Sequence, residues 1–283
     1  MEQTGADTRE AAEAVLARIG AAGDGEIDLA EGALALAALD RPQVPLARYR
    51  EHLHELAGEV AGQVEAGGAG QGTIQAAALA RSLFERMGYD GDRLTYDDLQ
   101  NANLMRVIDR RKGLPVALGI LMIHAARAQG WAMVGLSFPA HFLVRLDSGA
   151  ERLILDPFAR GGVVDATRLR ELLKEVAGEG AELKPSHYEP VPDRAVLLRL
   201  QNNIKTRLLR DGKLEAAARV IMRMLSFAPE EAVLWREAGL VEARLGNLKR
   251  AIGLIEAWRD KSPGEAQRRQ AAVLLQELAQ RLH

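Results

Sequence analysis

The sequence contains no cysteine. Disulfides, thiolate metal sites and cysteine nucleophiles are therefore excluded. No run approaches the ~20 uninterrupted apolar residues that a membrane-spanning helix needs. The opening, MEQTGADTREAAEAV, has no basic segment followed by an apolar core, so it does not read as a secretory signal. The expected compartment is the cytoplasm, and no membrane association is expected. The histidines at 52, 54, 124, 141, 187 and 283 form no metal-binding spacing. His52 and His54 fall on a helix at i and i+2, where side chains point apart. The glycine-rich run Ala66–Gly72 is not followed by Gly-Lys-Ser/Thr, so it reads as a loop between helices rather than a phosphate cradle. Neither a metal nor a cofactor is expected.

What is present is an ordinary globular balance: 283 residues, 48% apolar and 27% charged. That length suits about two domains of ~150 residues each. The net charge of −2 hides an asymmetry. Residues 1–193 hold 20 Lys and Arg against 29 Asp and Glu, whereas residues 194–283 hold 17 against 10. The plainest reading is that the two halves complement each other. The basic residues of the tail are spaced, and its aromatics, Phe227, Trp235 and Trp258, suit helix packing as well as base stacking. Nucleic acid is therefore not the expected partner.

The front of the chain reads as helical. Thr8 can cap Arg9–Ile19, and Asp28 can cap Leu29–Leu39 with Glu31 completing a capping box. Leu46–Val64, Ile74–Met87 and Asp98–Arg111 continue the pattern, with a turn at Asp90–Asp92. Pro115 then fits the first turn of a helix from Val116 to Gln129. That helix is apolar on nearly every face, so it should be buried. His124 interrupts it and reads as a hydrogen-bonded or partly wet edge residue.

After Gly130 the period becomes that of strands. Ala132–Phe138, His141–Leu146 and Glu151–Asp156 form an antiparallel meander, and Asp165 caps a helix through Val176. If a four-residue loop, Asp147–Ala150, closes symmetrically, Leu146 pairs with Glu151 and His141 with Asp156. Directly opposed residues have Cβ atoms ~5 Å apart, which is the reach of a His–Asp hydrogen bond.

The tail repeats. Gly212, Leu214, Ala217 and Pro229 recur 34 residues later as Gly246, Leu248, Ala251 and Pro263. This is the tetratricopeptide period: helix, glycine turn, helix, proline turn. Two repeats, 195–229 and 230–263, and a capping helix Ala266–Leu282 are expected. Two repeats alone are marginal, because each needs a neighbour to bury its face.

The stretch Arg110–Pro115, the long apolar helix, Phe138–Arg145 and Leu155–Phe158, followed by these repeats, resembles the SirB-type bacterial transglutaminase-like proteins. The resemblance implies a papain-like core with a nucleophile at the start of a buried helix, then His and Asp on neighbouring strands. His141 and Asp156 match the last two. The nucleophile position falls on Pro115, and residues 113–130 contain no Ser, Thr or Cys. Acyl transfer needs a nucleophile within reach of the histidine. The resemblance thus implies the fold and argues against transglutaminase or protease chemistry.

The expected fold is α+β, mostly α. A helical part spans 1–112, a core of buried helix on antiparallel sheet spans 113–193, and helical hairpins span 194–283. The expected role is a non-catalytic interaction or regulatory module whose tail binds a protein or peptide. The alternative is a hydrolase in which His141, oriented by Asp156, activates water. Candidate binding residues are Arg110 and Arg111 beside the cleft, and Asn202, Lys205 and Arg236 on the inner helices of the repeats.

Overall fold

The structure, a computed structural model, describes residues 2–63 and 71–282. Most of the glycine-rich run, residues 66–70, lies outside the described residues. The chain divides into two compact units, Met1–Ala12 with Gly23–Leu200, and Glu13–Ala22 with Gln201–His283.

The first helix, α1 (Glu2–Ala21), contributes to both units. In the first unit, α2 (Leu29–Ala38) starts where expected, because the Asp28 carboxylate accepts the Glu31 N–H at 3.0 Å. α3 (Ala47–Ala61) follows. α4 (Gln71–Ala80) begins earlier than its sequence suggests. The Gly72 N–H donates to the Glu151 carboxylate at 2.7 Å, which satisfies an end group that glycine-rich sequence alone leaves open. A π-helical turn, Arg81–Arg86, ends it.

Asp90–Gly91, expected as a turn, is a short strand, β1, and pairs in parallel with β2 (Lys112–Gly113). The helix expected over 98–111 is split. A 3-10 turn over Leu99–Ala102 is followed by α5 (Leu104–Arg110), which Asn103 caps by accepting the Arg106 N–H at 3.1 Å. The extended backbone of Asn103 separates the two.

α6 (Pro115–Arg127) is the buried central helix, with every residue from Val116 to Ile123 buried. Beside it lies a five-stranded antiparallel sheet. Its strands are β3 (Ala132–Leu136), β4 (Val144–Ser148), β5 (Glu151–Asp156), β6 (Gly162–Val163) and β7 (Pro190–Val191), in the order β6-β5-β4-β3-β7. α7 (Ala166–Ala177), capped by Asp165, covers the opposite face through Leu169, Leu172 and Leu173.

The repeat unit contains α9 (Leu214–Phe227), α10 (Ala232–Arg244), α11 (Leu248–Lys261) and α12 (Glu265–Leu282). Before them, α8 (Asp193–Arg210) enters it from the first unit. The turn hydrogen bonds recur at the 34-residue offset. Lys213 N–H donates to Leu208 O and Asn247 N–H to Glu242 O, both at 2.9 Å. Gly212 and Gly246 both take left-handed φ, +71° and +82°, which the turn needs and glycine adopts without strain. Residues Glu13–Ala22 of α1 also join this unit. A Cβ at Gly20 would lie 2.5 Å from the Ser226 carbonyl, so glycine is what lets α1 approach α9. The expected helical part, 1–112, thus contributes residues 13–22 to the repeat unit.

Candidate functional site

Pro115 is the first residue of α6, where its missing N–H leaves no bond unmade. One turn later on the same face is Gly119. A Cβ there would collide with the Phe142 ring and lie 3.4 Å from Pro157. Phe142 and Pro157 are the chain neighbours of His141 and Asp156. The segments carrying the three matched positions therefore converge on one face at the start of α6.

The expected pairing of His141 with Asp156 is not formed. The hairpin closes through two residues, Gly149 and Ala150, with Ser148 opposite Glu151 and Val144 opposite Leu155. Gly149 at φ +58° permits this tight loop, so Asp147 and Ser148 become strand rather than turn. The register shifts by two residues, and β4 begins only at Val144. His141 precedes it in a bend, next to Ala140 at φ +55°. No hydrogen bond or ion pair joins His141 and Asp156 among the described residues. The Asp156 carboxylate instead accepts the N–H groups of Phe158 (2.8 Å) and Ala159 (3.2 Å), capping a short 3-10 turn.

The His141 bend is held by a residue that sequence reasoning missed. Arg199, on α8, donates to the His141 carbonyl at 2.5 Å and reaches the Phe138 carbonyl at 3.4 Å. Its guanidinium carbon lies 5.5 Å from the Phe142 ring centroid. Burial pushes the Arg199 pKa below the ordinary arginine value, against an upward pull from Tyr96. Nothing in the local sequence around Arg199 marks it, because its partners lie about 60 residues upstream.

Arg110 and Arg111 are tied into the scaffold. Arg110 donates to Asn101 and to the buried Asp92, both at 2.8 Å. Burial alone would raise the Asp92 pKa, but hydrogen bonds from Thr95, Arg110 and Asn101 hold it well below the usual carboxylate range. Arg111, in left-handed conformation at the end of α5, bonds the Tyr89 hydroxyl (2.8 Å) and His52 Nε2 (2.7 Å). Burial first, and Arg111 second, lower the His52 pKa. These contacts correct the expectation that the two arginines face a ligand. Their side chains reach buried or half-buried partners 9 to 59 residues away, which spacing does not reveal.

The loop after Asp92 is pinned. Thr95 donates to Asp92 through N–H (2.9 Å) and hydroxyl (2.6 Å), and Asn101 donates to the Thr95 carbonyl at 2.6 Å. It nevertheless presents Leu94 at 90% and Tyr96 at 41% exposure. Tyr96 meets Phe158 edge-on at 5.7 Å, and Arg93 donates to the Phe158 carbonyl at 2.6 Å. The Asp-x-x-Thr spacing is the one sequence signal that could have found this loop.

In the repeats, Asn202 and Arg236 are exposed and occupy equivalent positions, one repeat apart. Lys205 does not behave as expected. It is buried, and its ammonium pairs with Glu237 at 2.5 Å. Its equivalent one repeat later is Gly239, which packs against Ile255 of α11. The position is a helix-crossing point, so Lys205 is not a free contact. His124 is half-buried, with Nε2 3.3 Å from the Leu53 carbonyl, and burial lowers its pKa. Among the described residues no cluster of three or more His, Asp or Glu could hold a metal, and no helix is long and apolar enough to cross a membrane.

Comparison with known proteins agrees with this architecture. The sequence profile of the Transglutaminase-like superfamily matches residues 47–202. The chain belongs to that superfamily. A tetratricopeptide-repeat profile matches residues 204–276 of this transglutaminase-like protein. The chain is 34% identical over 182 residues to a UPF0162 protein of Xylella fastidiosa strain Temecula1, covering 63% of this chain and 65% of the relative. It is 27% identical over 168 residues to the Protein SirB1 of Salmonella typhimurium, covering 59% and 62%. A UPF0162 protein of Pseudomonas aeruginosa is 28% identical over 236 residues, covering 79% and 83%. The match spans less than two thirds of the Xylella and Salmonella proteins. No solved structure matches the chain. Together these make it a SirB-type transglutaminase-like protein with C-terminal tetratricopeptide repeats.

Proposed function

We propose that this transglutaminase-like protein is a non-catalytic interaction or regulatory module of the cytoplasm. Its cleft and its repeat tail each offer a surface for a protein or peptide partner. The observation that carries this reading is Pro115 at the nucleophile position, on a chain without cysteine. A proline has no atom that can attack an acyl carbon. Asp156 accepts backbone N–H groups through Oδ1 and makes no bond to His141 among the described residues, which leaves the imidazole without a carboxylate to orient it as a base toward water.

Two surfaces support a binding role. Leu94 and Tyr96 stand out from a loop whose backbone is already pinned, so little ordering opposes their docking. In the tail, Asn202 and Arg236 repeat the same exposed position on successive inner helices. Tetratricopeptide repeats support protein–protein contact, and their stacking forms an extended binding face.

The test is affinity capture with the full chain and two double variants, Leu94→Asp/Tyr96→Ser and Asn202→Ala/Arg236→Ala. Both are expected to lose a partner that the parent retains. Equal retention by parent and variants would remove both surfaces. In parallel, hydrolysis of activated esters by the parent that disappears in His141→Ala would overturn the non-catalytic reading.

A further inference from the structure

A groove of about 790 Å³ lies on the sheet face opposite α6, between β5, β6, α7 and the segment 181–188. The two faces are distinguished by their packing. Gly135 faces Phe142, which meets α6 at Gly119, whereas Val134 and Ile154 pack with the α7 leucines. The groove is therefore separate from the converging segments at Pro115. Its size suits a small organic ligand. Ile154, Leu169, Leu183 and Tyr188 provide an apolar lining. Val163, on the two-residue edge strand, is 58% exposed there.

The rim carries an excess of positive charge, Arg152, Arg170 and Lys174 against Asp165 and Glu182. Among the described residues, Arg170 bonds the Ala166 carbonyl of its own helix, at 3.3 Å, and meets no carboxylate. Arg152 comes no nearer than 3.7 Å to Asp147, beyond hydrogen-bond length. Lys174 pairs with Glu179, whose side chain is 90% exposed, a pairing that water screens. Of the rim acids, Asp165 accepts the Arg168 N–H as the cap of α7, and Asp165 and Glu182 are the two opposing charges.

We propose that this groove binds a small apolar carboxylate, a medium-chain fatty or aryl-alkanoic acid, with its body on the leucine and isoleucine lining and its carboxylate at Arg152 and Arg170. A guanidinium presents paired donors that match a carboxylate, and two guanidiniums beside an apolar surface, one of them only loosely paired with Asp147, select for that combination. An uncharged chain of equal length gains only the apolar contact.

The experiment is titration of the full chain with octanoate and with octan-1-ol, followed by amide chemical shifts. Octanoate should perturb residues 152–154, 163–170 and 181–188 saturably. Its affinity should fall at least about tenfold in Arg152→Gln/Arg170→Gln, the loss of a charge-assisted pair. Octan-1-ol should bind more weakly and be insensitive to those changes. Val163→Glu, at an exposed position, should also abolish octanoate binding. Raised salt should weaken octanoate but not octan-1-ol, a check that requires no variant. A parallel arm uses phosphatidylcholine vesicles loaded with oleate. Octanoate binding without cosedimentation assigns a free acid, and cosedimentation lost in the double variant assigns a membrane-borne one. Equal affinities for acid and alcohol, unchanged binding by the double variant, or shifts confined to other residues would overturn the proposal.

Discussion

The repeat unit and the transglutaminase-like core are built by different rules. In the repeats, structure follows a sequence period. Helix starts, glycine turns and turn hydrogen bonds recur 34 residues apart, and Ala217 and Ala251 are both fully buried. In the core, two of the loops near Pro115 are held in part from elsewhere. Asp92 is held by Arg110 18 residues away, and the His141 bend by Arg199 58 residues away. A local pattern can be read along the chain, whereas a long-range clamp is visible only once the chain is folded.

The contrast is best broken at the core. Asp92→Ala removes the buried partner of an ion pair whose arginine is partly exposed, and leaves Arg110 facing Asn101 alone. Such a loss costs about 1.5–3 kcal/mol. Urea denaturation of variant and parent measures it, and a change below about 1 kcal/mol would mean that water replaces the carboxylate. The same residue has a pH signature. Its folded pKa lies below its unfolded value of ~3.9. Its contribution is therefore complete above that value and declines as the pH falls below it.

The repeat period is tested next. Ala217→Leu and Ala251→Leu each place a large side chain at a fully buried crossing. Overpacking of this kind costs ~1–3 kcal/mol. Because the two sites are equivalent, similar losses are expected, and the shift in denaturation midpoint compares them. A much smaller cost at one would show that its repeat relaxes where the other does not.

Arg199→Gln is expected to cost about 1–2 kcal/mol, mainly through the carbonyls left without their charged donor. Its sharper readout is local. The amide and ring resonances of Phe138–Phe142 should shift, while the glycine turns at 212 and 246 keep their protection from hydrogen exchange.

The smallest effect concerns two histidines, the buried His52 and the half-buried His124. His52 and His124 both have folded pKa values below the ordinary ~6.5. The unfolded chain thus binds more protons just below that pH, so stability should fall as the pH drops from 7 toward 5. His52→Gln should flatten part of that slope in denaturation measured across the range, and an unchanged slope would remove His52 as a source.

Much of the helical order was legible because caps and apolar spacing are local. Asp28 and Asp165 cap where their sequence suggests, and Pro115 starts α6. The failures have a common cause. The split at Asn103 and the early start of α4 depend on side chains that compete for backbone groups, one of them Glu151 from a distant strand. The hairpin register depended on whether Gly149 adopts a left-handed conformation, a choice of two residues over four that the Asp-Ser-Gly-Ala tetrapeptide leaves open.

The sequence by itself determined the helical repeats, the buried central helix and the absence of cysteine. Each is a matter of residue type and spacing along the chain. Tertiary structure alone decided that Asp156 caps a turn instead of orienting His141, that Lys205 is buried, and that Arg110 and Arg111 brace the scaffold. It alone also opened a cation-rimmed groove behind the sheet. The physical reason is that a polar side chain can satisfy itself with any partner within reach, and which partners come within reach is fixed only when distant segments pack.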